Sequence, residues 1–230
     1  MLARRALRAL SAAVLASAMP LSAQVTGPSA LHFVGGSGVS YNGWQVGAYK
    51  ATLDNAPISI WCVDFFNHSA NAQVWVSGLG GTNPDLSKTR FGTLAGQPTL
   101  YKQAAALTTL FATTASSEWG YIHYAIWELM SDPFPHAGIG NSAQTKINGY
   151  LAWSAANWTS YDYGKMYVLT DVAVTGQPGC QGVVNTGSCG AQEYLTGSVT
   201  VTPEPAVLGL MAFGLVGMSA ATVVRRRKRS

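Results

Sequence analysis

Apolar residues between positions 30 and 76 fall into four short runs that are rich in β-branched and aromatic side chains. Glycine, asparagine and proline separate these runs, a pattern typical of short β-strands. Two further runs near the C-terminal end of the body alternate apolar and polar residues in the same way. The six predicted strands are Ala30–Val34, Gly43–Thr52, Ile58–Phe65, Ala72–Val76, Lys165–Val174 and Gln192–Val201.

The middle of the chain has a helical period instead. An alanine- and leucine-rich stretch after Pro98 predicts a first helix over Tyr101–Thr113, and Ser142–Asn157 predicts a third. Between them, Ser117 is a candidate N-cap and Asp132-Pro133 a stop for the second helix. Apolar residues at helical spacing support this second helix: Trp119, Ile122, Ile126, Leu129 and Met130.

The order strand, helix, strand predicts an α+β fold, an antiparallel β-barrel or sandwich with a helical insertion. The segment 24–201 is long enough for one domain with its own core. Only 10% of the whole chain is charged, and it contains 25 glycines. The body shares this charge-poor, glycine-rich character, which is more typical of secreted β-rich domains than of cytosolic enzymes.

The C-terminal segment predicts a single membrane helix. Residues 206–224 form an uncharged apolar run of 19 residues, which nearly crosses a hydrocarbon core of about 30 Å. Five cations follow directly and are expected to stay cytoplasmic by the positive-inside rule. This basic tail, within 225–230, comprises Arg225, Arg226, Arg227, Lys228 and Arg229.

The N-terminal segment, residues 1–23, predicts a signal peptide. A basic region with Arg4, Arg5 and Arg8 precedes the apolar stretch Ala9–Leu21. Cleavage is expected after Leu21-Ser22-Ala23, and Ala16-Ser17-Ala18 stays open as an alternative site. The body is therefore predicted to be exported.

Pro203, Glu204 and Pro205 stand immediately before the predicted membrane helix. Segment 202–230 thereby resembles the PEP-CTERM sorting domain of Gram-negative envelope proteins, also known as the ice-binding-protein C-terminal domain. The resemblance implies export from a Gram-negative cell and anchoring in the inner membrane through residues 206–224. It also implies recognition by an exosortase-type membrane protease, release to the cell surface or matrix, and association with exopolysaccharide.

The net charge of +4 comes from the two termini. Between positions 24 and 202 nine acidic residues outnumber six basic ones, so the exported part is acidic. A basic surface for nucleic acid is therefore not predicted.

Candidate chemistry centres on two motifs, Trp61-Cys62-Val63-Asp64 and the stretch 121–128, which contains His123. From about Ile58 to Met130 they resemble the thioester domains of bacterial surface adhesins, in which a strand cysteine bonds to a helix glutamine. His123 occupies the position of that glutamine, and imidazole has no acyl carbon. The family's thioester is therefore not expected here.

Two interpretations of these residues follow. Cys62 and His123 could form a nucleophile and base with Asp64 orienting, in a cysteine-dependent enzyme or covalent adhesin. The preferred interpretation is a buried Cys62 with His123 packed between Trp119 and Trp127 on one helix. No catalytic residue, and no enzyme, is then predicted.

Cys180 and Cys189 enclose eight residues that have no hydrophobic pattern to hold them in place, and a disulfide is the simplest account of this loop. Pairing of Cys62 with either stays open. The histidines and aspartates show no ligand spacing, so neither a metal nor another cofactor is predicted.

Seven tryptophans and ten tyrosines offer surfaces on which sugar rings could stack. Together these features favour an exported, non-enzymatic binding or structural protein of the envelope or extracellular matrix.

Overall fold

A computed structural model describes residues 25–93, 96–131, 139–181 and 189–201. Within them, six antiparallel strands close into a barrel in the order β1, β4, β5, β8, β7, β6. In chain order the strands are β1 Val25–Gly35, β2 Val39–Tyr41, β3 Trp44–Val46, β4 Tyr49–Leu53, β5 Ala56–Cys62, β6 Ala72–Gly78, β7 Tyr161–Asp171 and β8 Tyr194–Val201. Of the two architectures that the sequence left open, the structure is a barrel.

The predicted strand Gly43–Thr52 is wrong as a single element. Its first part is β3, which pairs with β2 in a separate hairpin, and its second part is β4 in the barrel. Gly47 separates them with a φ of +89°, a conformation that favours glycine. A Cβ on Gly47 would also lie 2.6 Å from Trp119 Cε3, so the chain turns here under a helix.

The three longer helices lie between β6 and β7, as the predicted insertion requires. They are α1 Gln97–Thr108, α2 Trp119–Met130 and α3 Asn141–Asn157, with 3-10 turns at Thr109–Ala112, Ser116–Glu118 and Trp158–Ser160 and a short α4 at Val172–Gly176 after β7. Helix α2 packs against α1, α3 and the β2–β3 hairpin, and α1 also contacts β7 and β8.

Several predicted boundaries are corrected. Ser117 does not cap α2, because it lies inside a 3-10 turn and Glu118 holds the cap position without a side-chain bond. The predicted strand Lys165–Val174 begins earlier, at Tyr161, and ends at Asp171, whose carboxylate accepts a hydrogen bond from the Ala173 amide and starts α4. Residues 132–133, the predicted stop of α2, lie outside the described residues.

One hydrophobic core joins the barrel to the helices. Leu31, Ile60, Val74, Val168 and Leu195 line the barrel side and are almost fully buried. On the helical side, buried residues of α2 recur at the predicted spacing: Ile122, Ile126 and Met130. The strands alternate inward and outward residues, and α2 buries one broad face, which places both candidate motifs at the junction between barrel and helices.

Candidate functional site

Cys62 is the last residue of β5, and its side chain is fully buried in the core. Its thiol donates a hydrogen bond to the Asp64 main-chain oxygen at 3.0 Å. Burial, and then the nearby Asp64 carboxylate, raises the pKa of Cys62, while the side chain of Trp127 opposes the shift. The sulfur is therefore held as a neutral thiol rather than as a nucleophilic thiolate.

His123 lies in the middle of α2 and uses both ring nitrogens. Nδ1 accepts a hydrogen bond from the Gly47 amide at 2.9 Å, and Nε2 lies 2.9 Å from the Cys62 main-chain oxygen. An amide can only donate and a carbonyl can only accept, so the proton is on Nε2. Burial lowers the pKa of His123 to about 4, although its bond to Cys62 opposes this.

His123 therefore contacts Cys62 through the Cys62 main-chain oxygen and not through the thiol. Neither imidazole nitrogen has a lone pair free to remove a proton from sulfur. The imidazole instead braces α2 against β5 and against the link between β3 and β4. This arrangement can stabilise the fold, but it does not form the nucleophile and base of a cysteine enzyme.

The aromatic surroundings of His123 differ in part from the expectation. The Trp127 ring lies 4.4 Å from the imidazole centroid, as its spacing on the helix predicted. Phe111 also packs on the imidazole, with ring centroids 5.7 Å apart, and Trp119 packs on Phe111 at 5.8 Å. The imidazole is therefore enclosed by rings, which accounts for its depressed pKa.

Asp64 does not orient His123. Its carboxylate pairs with Arg90, whose Nε lies 2.8 Å from Asp64 Oδ2, and both side chains are almost completely buried. Asn67 also donates to Oδ2 at 2.6 Å, and the Phe66 amide donates to Oδ1 at 3.1 Å. Burial raises the pKa of Asp64, while Arg90 and these donors oppose it.

Glu193 completes a buried ionic cluster with Arg90 and Asp64. The Arg90 amide and the Thr170 hydroxyl donate to its Oε1 at 2.6 and 2.5 Å, and the Tyr101 hydroxyl donates to Oε2 at 2.5 Å. Burial raises the pKa of Glu193 and these donors oppose the shift. Every observed partner donates, which is the pattern that an ionised carboxylate requires.

Arg90 also holds the segment that carries the disulfide. Its Nη2 donates to the main-chain oxygens of Cys189 and Ala191, both at 2.9 Å. Cys189 is bonded to Cys180 as the sequence predicted, with a Cα–Cα distance of 5.3 Å, and Cys62 is the free cysteine of the described residues. The alternative pairings of Cys62 are therefore not present.

The sequence did not lead us to predict this ionic cluster, although the sequence contains a signal for it. Asp64 and Glu193 both fell within predicted strands, and a charged residue in an apolar run of a charge-poor body needs a partner. Their partner Arg90 lies in the long connection after β6, where no periodicity singles it out. Among the described residues no group of three or more His, Cys, Asp or Glu side chains could hold a metal ion.

The predicted delivery signals cannot be placed in the fold. Residues 1–23, the motif Pro203, Glu204 and Pro205, the helix 206–224 and the tail 225–230 all lie outside the described residues. Within the described ranges, no helix has both the length and the apolar character needed to cross a bilayer.

Comparison of the chain with protein-family models, with curated proteins and with solved structures finds no match. The resemblances to PEP-CTERM sorting segments and to thioester domains therefore rest on the residues quoted for them.

Proposed function

We propose that this chain is an exported, non-enzymatic binding or structural protein of a Gram-negative envelope or extracellular matrix. Export machinery recognises residues 1–23, and an exosortase-type membrane protease acts at Pro203-Glu204-Pro205. Before processing, the helix 206–224 anchors the protein in the inner membrane. After processing, the body 24–201 is released to the cell surface, where it associates with exopolysaccharide.

One observation carries the non-enzymatic part of this proposal: both nitrogens of His123 are bound to main-chain groups, at Gly47 and Cys62. The buried thiol of Cys62 donates to the Asp64 carbonyl, so the most suggestive pair in the sequence has a structural use. The competing hypothesis is an enzyme or covalent adhesin that uses these residues. Such a protein would need an exposed thiol, and the Cys62 thiol is buried. The Cys180–Cys189 disulfide supports the exported part, because such bonds persist in oxidising compartments.

The test is the intact mass of the protein recovered from its own envelope, alkylated under denaturing, non-reducing conditions. We expect a chain that ends near residue 205 and takes up one alkyl group, at Cys62. A mass that retains residues 206–230 would contradict processing, and an adduct already present on Cys62 would contradict the non-enzymatic assignment.

A matched variant tests the role of Cys62 directly. Cys62→Ser is expected to leave localisation and matrix association unchanged, because the thiol is buried and makes a bond that a hydroxyl can replace. Loss of matrix association in a normally folded Cys62→Ser protein would count against the proposal.

A further inference from the structure

Helix α3 borders an open hollow of about 400 Å³. Lys146, Gly149, Tyr150 and Trp153 line it from the helix, and the 3-10 turns that hold Leu110 and Glu118 line the opposite side. Its volume lies in the range of small-molecule sites, and two of its six lining residues, Tyr150 and Trp153, are aromatic. We name it the first hollow.

Gly149 is exposed on the wall of the first hollow. It lies inside α3, where glycine is less stable than alanine. A Cβ at Gly149 would meet no heavy atom of the described residues within 4 Å, so no packing contact there explains the glycine. Because glycine has no Cβ, it also allows a ligand to approach the helix backbone closely at this position.

The aromatic surface continues from the first hollow into a second. The Trp153 ring lies 6.4 Å from Tyr161, which lies 6.5 Å from Tyr163. These two tyrosines, with Trp158, line an adjoining hollow of about 340 Å³, here named the second hollow. The Trp153–Tyr161 contact therefore links a ring that lines the first hollow to a ring that lines the second.

The polar groups of both hollows are balanced in charge. In the first, Lys146 Nζ lies 2.6 Å from Glu118 Oε1, and the Tyr150 hydroxyl donates to Glu118 Oε2 at 3.1 Å. The second has one cation, Lys102, and one exposed carboxylate, Asp162. Such a surface has no net field to attract a polyanion or a polycation. It does offer donors and acceptors beside aromatic faces.

We propose that the first and second hollows together bind a neutral glycan chain. The apolar C–H faces of sugar rings stack on Tyr150, Trp153 and Tyr161, while ring hydroxyls, which both donate and accept, bond to the balanced acid and lysine groups. This inference rests on the proposed exopolysaccharide association and assigns it to a site. It needs neither a catalytic residue nor a metal.

The decisive variant is Gly149→Trp, with Gly149→Ala as its matched control. The indole would fill the first hollow from a position with free space, whereas the methyl group would leave most of the hollow open. Both proteins are recovered from their native envelope and tested on an array of neutral and acidic oligosaccharides. We expect the wild type to bind neutral glycans, Gly149→Ala to bind them somewhat more weakly, and Gly149→Trp to bind them at least about tenfold more weakly.

A second pair of variants distinguishes binding at this site from nonspecific binding to exposed aromatic rings. Trp153→Ala removes the ring at the junction of the hollows, and Trp44→Ala removes a tryptophan that is 44% exposed on the β2–β3 hairpin. Binding should fall by about tenfold or more in the first and stay unchanged in the second. Thermal unfolding of all four variants checks that each protein is folded.

Three outcomes would overturn the inference. They are the absence of binding to every neutral glycan, binding confined to acidic glycans, and equal binding by Gly149→Trp and Gly149→Ala. None of these results affects the intact mass or the cellular location. Failure of the glycan site is therefore distinguishable from failure of the proposed sorting.

Discussion

His123 is a residue type often used in catalysis, but here it has a structural role. Its two hydrogen bonds join the Gly47 amide to the Cys62 carbonyl, groups that would otherwise need other partners in the core. Each bond fixes the role of the opposite nitrogen, and the surrounding rings keep the imidazole neutral. The residue therefore contributes to stability most when it is not protonated.

A pH dependence follows from this. The pKa of His123 is about 4 in the folded protein, against 6.5 when exposed, so between these values the unfolded chain binds a proton that the folded chain does not. The contribution of His123 to the free energy of unfolding is complete above about pH 6.5. It falls by roughly 3 kcal/mol in all as the pH is lowered to about 4. We expect urea unfolding midpoints to show this decline in the wild type.

His123→Gln is the matched control for this decline, because the glutamine side chain has an acceptor oxygen and a donor NH2 group but does not titrate between pH 4 and 7. The difference in stability between the two proteins should shrink as pH is lowered. Asp64 and Glu193 are common to both proteins, so their titration cancels in the difference. Parallel pH profiles would show that His123 does not carry the effect.

At the level of elements, α2 and α3 each contain one glycine, in opposite surroundings. A Cβ on Gly120 would lie 2.2 Å from Tyr41 Cγ, because α2 packs closely on the β2–β3 hairpin. A Cβ on Gly149 would enter open space. Gly120 therefore allows α2 to pack closely on the β2–β3 hairpin. Among the described residues, no packing contact requires a glycine at position 149.

The same substitution should consequently have opposite effects. Gly120→Ala is expected to destabilise the protein by about 1–3 kcal/mol through overpacking, and Gly149→Ala to stabilise it by about 0.5–1 kcal/mol through helix propensity. Denaturant unfolding of the two variants measures both signs. Changes of equal sign would mean that the packing of α2 on the hairpin is not as described.

The sequence predicted these helices better than their contacts. Asn141–Asn157 differs from the predicted helix by one residue, since its period is local. Gly43–Thr52 was mistaken for one strand because both halves have β-rich composition and only the turn at Gly47 separates them. Periodicity reports local conformation and does not say which sheet a strand joins.

Across the whole molecule, the ionic cluster connects parts of the chain that are distant in sequence. Arg90 comes from the connection after β6, Asp64 lies two residues after the end of β5, and Glu193 immediately precedes β8. Through its Nη2, Arg90 also holds the main chain at Cys189. One buried cation thus ties the disulfide segment and the 79–96 connection to the barrel.

Removal of the Arg90 charge should lower the free energy of unfolding. Arg90→Met would leave Asp64 and Glu193 buried without their counter-charge, and we expect it to destabilise the fold by about 3–5 kcal/mol. Lys50→Met, which removes an exposed cation on β4, should change stability by less than about 0.5 kcal/mol. Chemical denaturation compares the two. A small effect of Arg90→Met would mean that the cluster is not a principal tie between these segments.

By itself, the sequence determined the α+β class, the helical insertion between two sets of strands and the pairing of Cys180 with Cys189 as the simplest disulfide. Composition, period and short loop length are local properties, and they are sufficient for these conclusions. Only the tertiary structure decided that the sheet closes as a barrel, that His123 serves the main chain and that Arg90 pairs with Asp64. Those outcomes depend on burial and on contacts between distant residues. Arg90 and Asp64 are 26 positions apart, His123 and Gly47 are 76 apart, and the barrel partners Ile60 and Thr196 are 136 apart.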